Sequence, residues 1–255
     1  AEAARTFGGV SAEAVGRRAA ELAIGKLGAR TCETQSLPVV LDPWMGMALL
    51  GAIAPLFSAE NVLKGKSLFA GKLGERVAAG KVTIVDDARR RAGIRTAPFD
   101  GEGVATRAVT LVAGGTLRAY LTSLKTARKI ESEPTGNARR PAYSGPSRIG
   151  PSNLAILPGT EDAGAIVRGL DRTLKVTSLL NLHTIDPISG EFSLGATGDY
   201  LERGERRYPV QGITIAGNLT TLLASIAHVG SDLIHGASGL GSPTLVVADL
   251  SIGGT

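Results

Sequence analysis

The sequence predicts an α+β fold: a mixed, largely antiparallel β-sheet core with several packed helices. Three observations lead there. Short apolar runs are joined by glycine turns, at Gly114-Gly115 and at Gly204, as hairpins require. Helical segments stand apart from these hairpins instead of alternating with strands, which argues against a doubly wound parallel fold. Of the 255 residues 43% are hydrophobic and 20% charged, ample material for a core.

Ser11 is placed to cap a first helix, with Glu13 near the positive end of its dipole. Val15, Ala19, Leu22, Ala23 and Leu27 form its apolar stripe, and Gly28 closes it. Ala29 to Pro38 reads as a linker, and Pro38 to Leu41 as a short buried strand. Asp42 precedes a helix from Trp44 to Phe57, which an interface or the chain's own core could bury equally well. Lys81 to Val85 is a strand ending at Asp86-Asp87. Arg107 to Val112 and Thr116 to Leu121 make a hairpin, and Thr122 to Ile130 a short helix. Glu131 to Pro151, rich in Pro, Gly, Ser and Arg, is a long loop of the kind that tends to carry function. Asn153 to Leu157 is a strand, and Thr160 caps a helix reaching Leu170. Leu174 to Leu182, Phe192 to Leu201 and Arg206 to Ala216 are strands. Asn218 to His228 is a helix, Gly236 to Gly241 a loop and Thr244 to Ile252 a last strand.

Composition excludes several classes. A single Cys, Cys32, rules out an internal disulfide and any cluster site built on thiolates. The longest apolar stretch, Trp44 to Phe57, is short of the roughly 20 residues a membrane helix needs. The first 18 residues carry no apolar leader core, so a cytoplasmic protein is expected. The formal charge is +5, but its arginine runs are scattered and aromatics make up only 4%, which speaks for solvated turns over nucleic-acid binding.

Individual motifs yield no active site. Gly65-Lys66-Ser67 resembles the tail of a phosphate loop, yet Glu60 stands where that loop needs glycine. Gly236 to Gly241 precedes a strand, the reverse of a dinucleotide fingerprint. His183, His228 and His235 lack zincin spacing, and His228 continues an apolar helix face. Asp100-Gly101-Glu102-Gly103 is a turn or a paired carboxylate site, with the turn favoured.

Taken in order, the motifs carry more. Pro38-Val-Val-Leu41, Lys66-Ser-Leu-Phe69, Pro98-Phe-Asp-Gly-Glu-Gly-Val104, Pro134-Thr-Gly-Asn-Ala-Arg-Arg140, Gly190-Glu-Phe-Ser193, Tyr208-Pro-Val210 and Ile213-Thr-Ile-Ala-Gly-Asn-Leu219 together resemble the TldD/PmbA metallopeptidase family. The resemblance implies a helix and linker over 1–37 and a C-terminal-type domain over 38–255. The family's N-terminal α/β region is absent from this sequence. TldD-type members carry H-E-x-x-x-H on the helix after the Pro-Val-Val-Leu strand. The corresponding positions here are Gly51, Ala52 and Leu56, which can neither bind zinc nor move a proton. The pattern is similar to the PmbA (TldE) branch, especially over Tyr208 to Leu219.

The resemblance therefore implies a metal-free, non-catalytic subunit with no catalytic residue and no cofactor of its own. Zinc is expected on a TldD-type partner, in a heterodimer or higher assembly that trims small or unfolded peptides. Pairing with itself is the alternative. Asn137, Arg139 and Arg140 in the long loop are possible substrate contacts, and neither nucleic acid nor membrane is expected as a partner. Two rival readings remain. One is a paired enzyme of peptide or natural-product maturation to which this chain contributes active-site residues. The other is a non-enzymatic scaffold or regulator.

Overall fold

The computed structural model describes residues 2–142 and 144–254. Helix α1 (Ala12–Ile24) starts where the Ser11 hydroxyl accepts from the Ala14 N–H at 3.2 Å, and it stops at Gly25, short of Gly28. Its stripe packs only loosely inward: Val15 is half-buried, and Val15, Ala19 and Leu22 line a shallow pocket over Trp44 and Met45. No α1 residue is buried, and Leu22, Ile24 and the following Leu27 are 40%, 66% and 74% exposed. The helix is held from its polar side instead: Arg18 lies over the Trp44 ring at 4.6 Å, and Arg206 donates to the Gly25 carbonyl.

Strand β1 (Gln35–Leu41) begins upstream of Pro38. Asp42 then accepts from the Met45 N–H at 2.9 Å and Pro43 fills the first turn, so α2 (Pro43–Ile53) is capped by its own sequence. The α-helix ends at Ile53 and Ala54–Phe57 is a 3₁₀ turn, because Pro55 has no N–H to extend the ladder. Next come α3 (Ala59–Leu63), β2 (Ile84–Asp87), β3 (Ala108–Ala113) and β4 (Thr116–Leu117). The β3–β4 turn uses positive φ at both Gly114 and Gly115, as a tight two-residue hairpin needs. β4 is shorter than expected because the chain leaves β3 to hydrogen-bond Phe57 and Ala59 through Leu121.

Ser123 caps α4 (Leu124–Lys129). The long loop contains a small hairpin, β5 (Ala138–Arg139) and β6 (Arg148–Ile149), before β7 (Leu154–Ile156). Asp162, not Thr160, caps α5 (Ala163–Arg168), its carboxylate reaching the Ala165 N–H at 2.7 Å. The three long strands β8 (Arg172–Leu180), β9 (Glu191–Glu202) and β10 (Glu205–Asn218) follow as anticipated. The helix expected to reach His228 is the short α6 (Leu219–Ala224), and His228 lies on β11 (Ile226–Val229). Ile226 and Val229 pair there with Val247 and Leu245, so sheet pairing ends the helix early. β12 (Ile234–His235) and β13 (Leu240–Ser242) form a hairpin around the glycine loop, and β14 (Leu245–Gly253) closes the fold.

β14 pairs with β1 along one edge and with β10 and β11 along the other. With β1–β8 parallel and β8–β9–β10 antiparallel, the ring β1-β8-β9-β10-β14 closes into a small barrel. Register breaks in β10 at Arg206/Tyr208 and Val210/Ile213 supply the bending such closure requires. The second sheet has the order β12-β13-β7-β2-β3-β4, antiparallel except for β7–β13. α2 joins the two sheets, with Leu49, Leu50 and Ile53 buried in one core shared with Leu111, Leu154, Leu174 and Leu245. The apolar helix and the last strand are thus both buried within the chain. Gly46 lets α2 approach β13: a Cβ there would overlap the Ser242 hydroxyl and stand 2.9 Å from the Ser242 Cβ.

Candidate functional site

Two cavities meet at the C-terminal end of α2. The larger, about 990 Å³, lies between the Ala54–Phe57 turn, α3, α4, the segment 146–151 and the tip of the β12–β13 hairpin. The smaller, about 510 Å³, lies behind it against Ala52, Leu56, Lys66 and His183. Gly51, Pro55 and Asn61 line both.

The wall at 148–152 is fixed from behind by a buried network. Asp86 on β2 is fully buried. Its Oδ2 accepts from Asn137 Nδ2 at 2.6 Å and its Oδ1 from the Ser152 N–H at 2.7 Å. Asn137 Nδ2 also donates to the Gly150 carbonyl at 3.3 Å, and Arg139 donates to the Ser152 hydroxyl. Burial pushes the Asp86 carboxyl up, against the hydrogen bonds from Asn137 and Ser152 and the Arg139 charge, which pull it down. Burial pulls Arg139 down, and Asp86 opposes that. Asn153 pins the neighbouring loop, accepting from the Arg95 N–H at 3.1 Å and donating to the Asp87 carbonyl at 2.7 Å.

The Asp100–Gly103 segment is a turn that staples loops together. Asp100 accepts from the N–H groups of Glu102, Val104 and Ala138 at 2.9, 3.0 and 3.0 Å. Glu102 reaches the larger cleft. One oxygen accepts from the Leu124 N–H at 2.8 Å, at the first residue of α4, and the other from the Ser147 hydroxyl at 2.8 Å. Glu60, the other carboxylate lining the cleft, binds Lys64 at 2.6 Å. That bond, with the charges of Lys125 and Arg148, holds its carboxyl below the ordinary value.

Of the residues singled out from the sequence, Asn137 is buried to 1% exposure, Arg139 is half-buried beside Ser152, and Arg140 is exposed, donating to the Gly101 and Gly145 carbonyls. Gly51 and Ala52 face the cavities from the last turn of α2, while Leu56 is 2% exposed in the 3₁₀ turn. This trio offers no lone pair to a metal, so zinc does not fit there. Among the described residues no group of three or more His, Cys, Asp or Glu side chains is placed to hold a metal ion. His183 lines the smaller cavity with Asn61 and Lys66. His228 is paired with Glu161 at 2.9 Å away from both cavities, and its place on a strand replaces the helical face expected for it. His235 sits beside Gly241 with its Nδ1 buried, and burial lowers its pKa. Ser67 of the phosphate-loop-like stretch donates to the Leu56 carbonyl at 2.7 Å and is buried, so that stretch is a structural turn.

Sequence reading missed the cations that line the larger cleft: Arg95, Lys125, Lys129 and Arg148. They come from separate segments, and only the i, i+4 spacing of Lys125 and Lys129 marks a shared helical face. It also missed Asp86, because nothing in Ile84–Asp87 distinguishes a buried carboxylate from one at a strand end. Among the described residues no helix is long and apolar enough to cross a membrane.

Residues 34–254 match the PmbA/TldA metallopeptidase C-terminal domain. The metalloprotease PmbA of Escherichia coli O157:H7 is 28% identical over 242 residues, 95% of this chain and 51% of that protein. A crystal structure from Thermotoga maritima, described as a candidate modulator of a DNA gyrase, superposes with a TM-score of 0.90. It is 37% identical and covers 99% of this chain and 57% of its own. TldE from Thermococcus kodakarensis superposes with a TM-score of 0.86 at 26% identity, over 95% of this chain and 55% of its own. The chain spans about half the length of the curated relatives it matches, 48%, 42% and 56% of the first three. With the matched span covering the barrel and the second sheet alike, the chain belongs to the PmbA/TldD metallopeptidase family and carries its C-terminal domain.

Proposed function

We propose that this chain is the metal-free, TldE-like half of a two-subunit peptidase, forming one wall of a cavity that a zinc-bearing TldD-type partner completes. The observation that carries the reading is chemical. The end of α2 opens onto both cavities, yet the positions that would supply two imidazoles and a general base hold Gly51, Ala52 and Leu56. The likeness to PmbA and to TldE supports the same branch. The exposed Leu22, Ile24 and Leu27 at α1 supply apolar surface for a partner. In this reading the helix and linker expected over 1–37 lead directly into the barrel, β1 already starting at Gln35 with Cys32 and Leu37 in the core. The domain over 38–255 shapes the cavity, and the pair works in the cytoplasm on small or unfolded peptides. Arg140 lies outside both cavities, bonded to the Gly101 and Gly145 carbonyls, so in this reading it touches only peptide that extends beyond them, while Asn137 and Arg139 act through the wall they hold.

Metal analysis by mass spectrometry tests this, on the chain alone and after co-purification with an H-E-x-x-x-H homologue from the same cell. The expected result is no zinc on the chain alone and stoichiometric zinc, with peptide cleavage, in a stable complex. Stoichiometric zinc on the chain alone overturns the reading.

A further inference from the structure

The two carboxylates of the larger cleft are already engaged: Glu60 by Lys64, and Glu102 by the Leu124 N–H and Ser147. Its remaining charges are all positive. Arg95, Lys125, Lys129 and Arg148 are exposed, and among the described residues none of their side chains has a hydrogen-bond or salt-bridge partner. These four cations, from three separate segments, line one concave surface. With both carboxylates engaged, and Glu60 also feeling the charges of Lys125 and Arg148, the cleft carries a net positive charge that attracts anions.

We infer that the larger cleft binds the carboxylates of an acidic peptide. Its volume, about 990 Å³, is at the upper end of the roughly 300–1,000 Å³ typical of enclosed ligand sites. Leu63, Ile149 and Leu240 on the same surface give apolar side chains somewhere to rest. Nucleic acid is disfavoured because no aromatic side chain among the described residues lines the cleft, so bases have no stacking platform. The inference rests on the reading of this cleft as a peptide-facing wall, and it adds the class of peptide.

The test is fluorescence anisotropy on this chain with a labelled short peptide carrying several glutamates. Its Glu→Gln isostere, the amidated form of each peptide, and an oligothymidylate of equal charge, each likewise labelled, are titrated in parallel. The acidic peptide should bind about tenfold tighter than the isostere at an ionic strength of about 0.1 M, the combined effect of a few exposed ion pairs. The difference should shrink below about twofold at about 1 M, where the Debye length is near 3 Å. Lys125→Glu/Lys129→Glu should abolish the preference. Amidation separates the sources: a loss confined to the amidated forms assigns the site to the peptide's C-terminal carboxylate, and no loss assigns it to side chains. Equal binding of the two peptides, lost on blocking the cleft with Ser238→Trp, would overturn the acidic preference and leave the peptide wall standing. Binding of neither peptide, or tighter binding of the oligothymidylate, would overturn the inference outright.

Discussion

Two polar regions lie on opposite sides of the same wall, and they use the same residue types to different ends. Behind the segment 148–152, Asp86, Asn137, Arg139 and Ser152 are buried or half-buried and bonded to one another. In front of it, Arg95, Lys125, Lys129 and Arg148 face solvent with no direct hydrogen-bond or salt-bridge partner among the described residues. Burial decides the difference. A charge withdrawn from water must find its counter-charge and hydrogen bonds within the chain, so it becomes structure. A charge left in a cleft keeps its bonding capacity for a ligand. Arg139 and Arg140 are adjacent yet differ in burial: one is drawn under the wall to Ser152, and the other stays exposed, bonded to the Gly101 and Gly145 carbonyls.

The comparison breaks first at Asp86. Asp86→Ala strands the Asn137 amide, the Ser152 N–H and the half-buried Arg139, and should cost about 3–5 kcal/mol in denaturant unfolding. A cost below about 1 kcal/mol would place the network among surface interactions. Asp86→Asn refines this through pH. Burial raises the Asp86 carboxyl in the folded chain, so the folded state binds that proton to higher pH than the unfolded chain does. The group's contribution is then greatest in acid and declines as pH rises from the ordinary Asp value of about 3.9 to the raised one. The stability advantage of wild type over Asp86→Asn should therefore narrow as pH rises above about 4. A widening gap would mean that Arg139 and the hydrogen bonds outweigh desolvation.

A smaller effect is expected on the apolar side of the cleft, where α2 rests on β13. Gly46→Ala forces a methyl into Ser242 and should cost about 1–3 kcal/mol. Ser242→Gly in the same chain removes the obstacle, so the double variant should regain part of that loss by a coupling of about 0.5–3 kcal/mol. Simple additivity of the two costs would show that α2 shifts to accommodate the methyl.

Much of this architecture was legible in the sequence, and where it was not the reasons are physical. The Asp42 cap, the Gly114-Gly115 turn and the long strands β8 to β10 are set by neighbouring residues, and they stand where local rules put them. The misread elements are settled by distant partners. His228 goes to a strand because β14 offers Val246 as its pair, and β4 stops because Leu121 bonds to Phe57. α1 forms as its capping dictates, but its apolar stripe stays largely exposed, lining only a shallow pocket over Trp44 and Met45. The site follows the same division. Motif order singled out Gly51, Ala52 and Leu56, and each lines a cavity at the end of α2. The buried Asp86 network and the convergent cations require the three-dimensional path of the long loop.

The least effect on stability is expected in front of the wall. Lys125→Ala/Lys129→Ala removes two exposed charges with no hydrogen-bond or salt-bridge partner among the described residues, so unfolding should change by no more than about 0.5 kcal/mol. A small gain is the more informative outcome, since relief of repulsion among Lys125, Lys129, Arg148 and Arg95 would stabilise the empty cleft. High salt should erase that gain in the wild-type comparison, because exposed charges are screened within a few ångströms at about 1 M. A clear loss of stability would instead show that these lysines hold the wall as Asn137 and Arg139 do, and the division between the two regions would fail at α4.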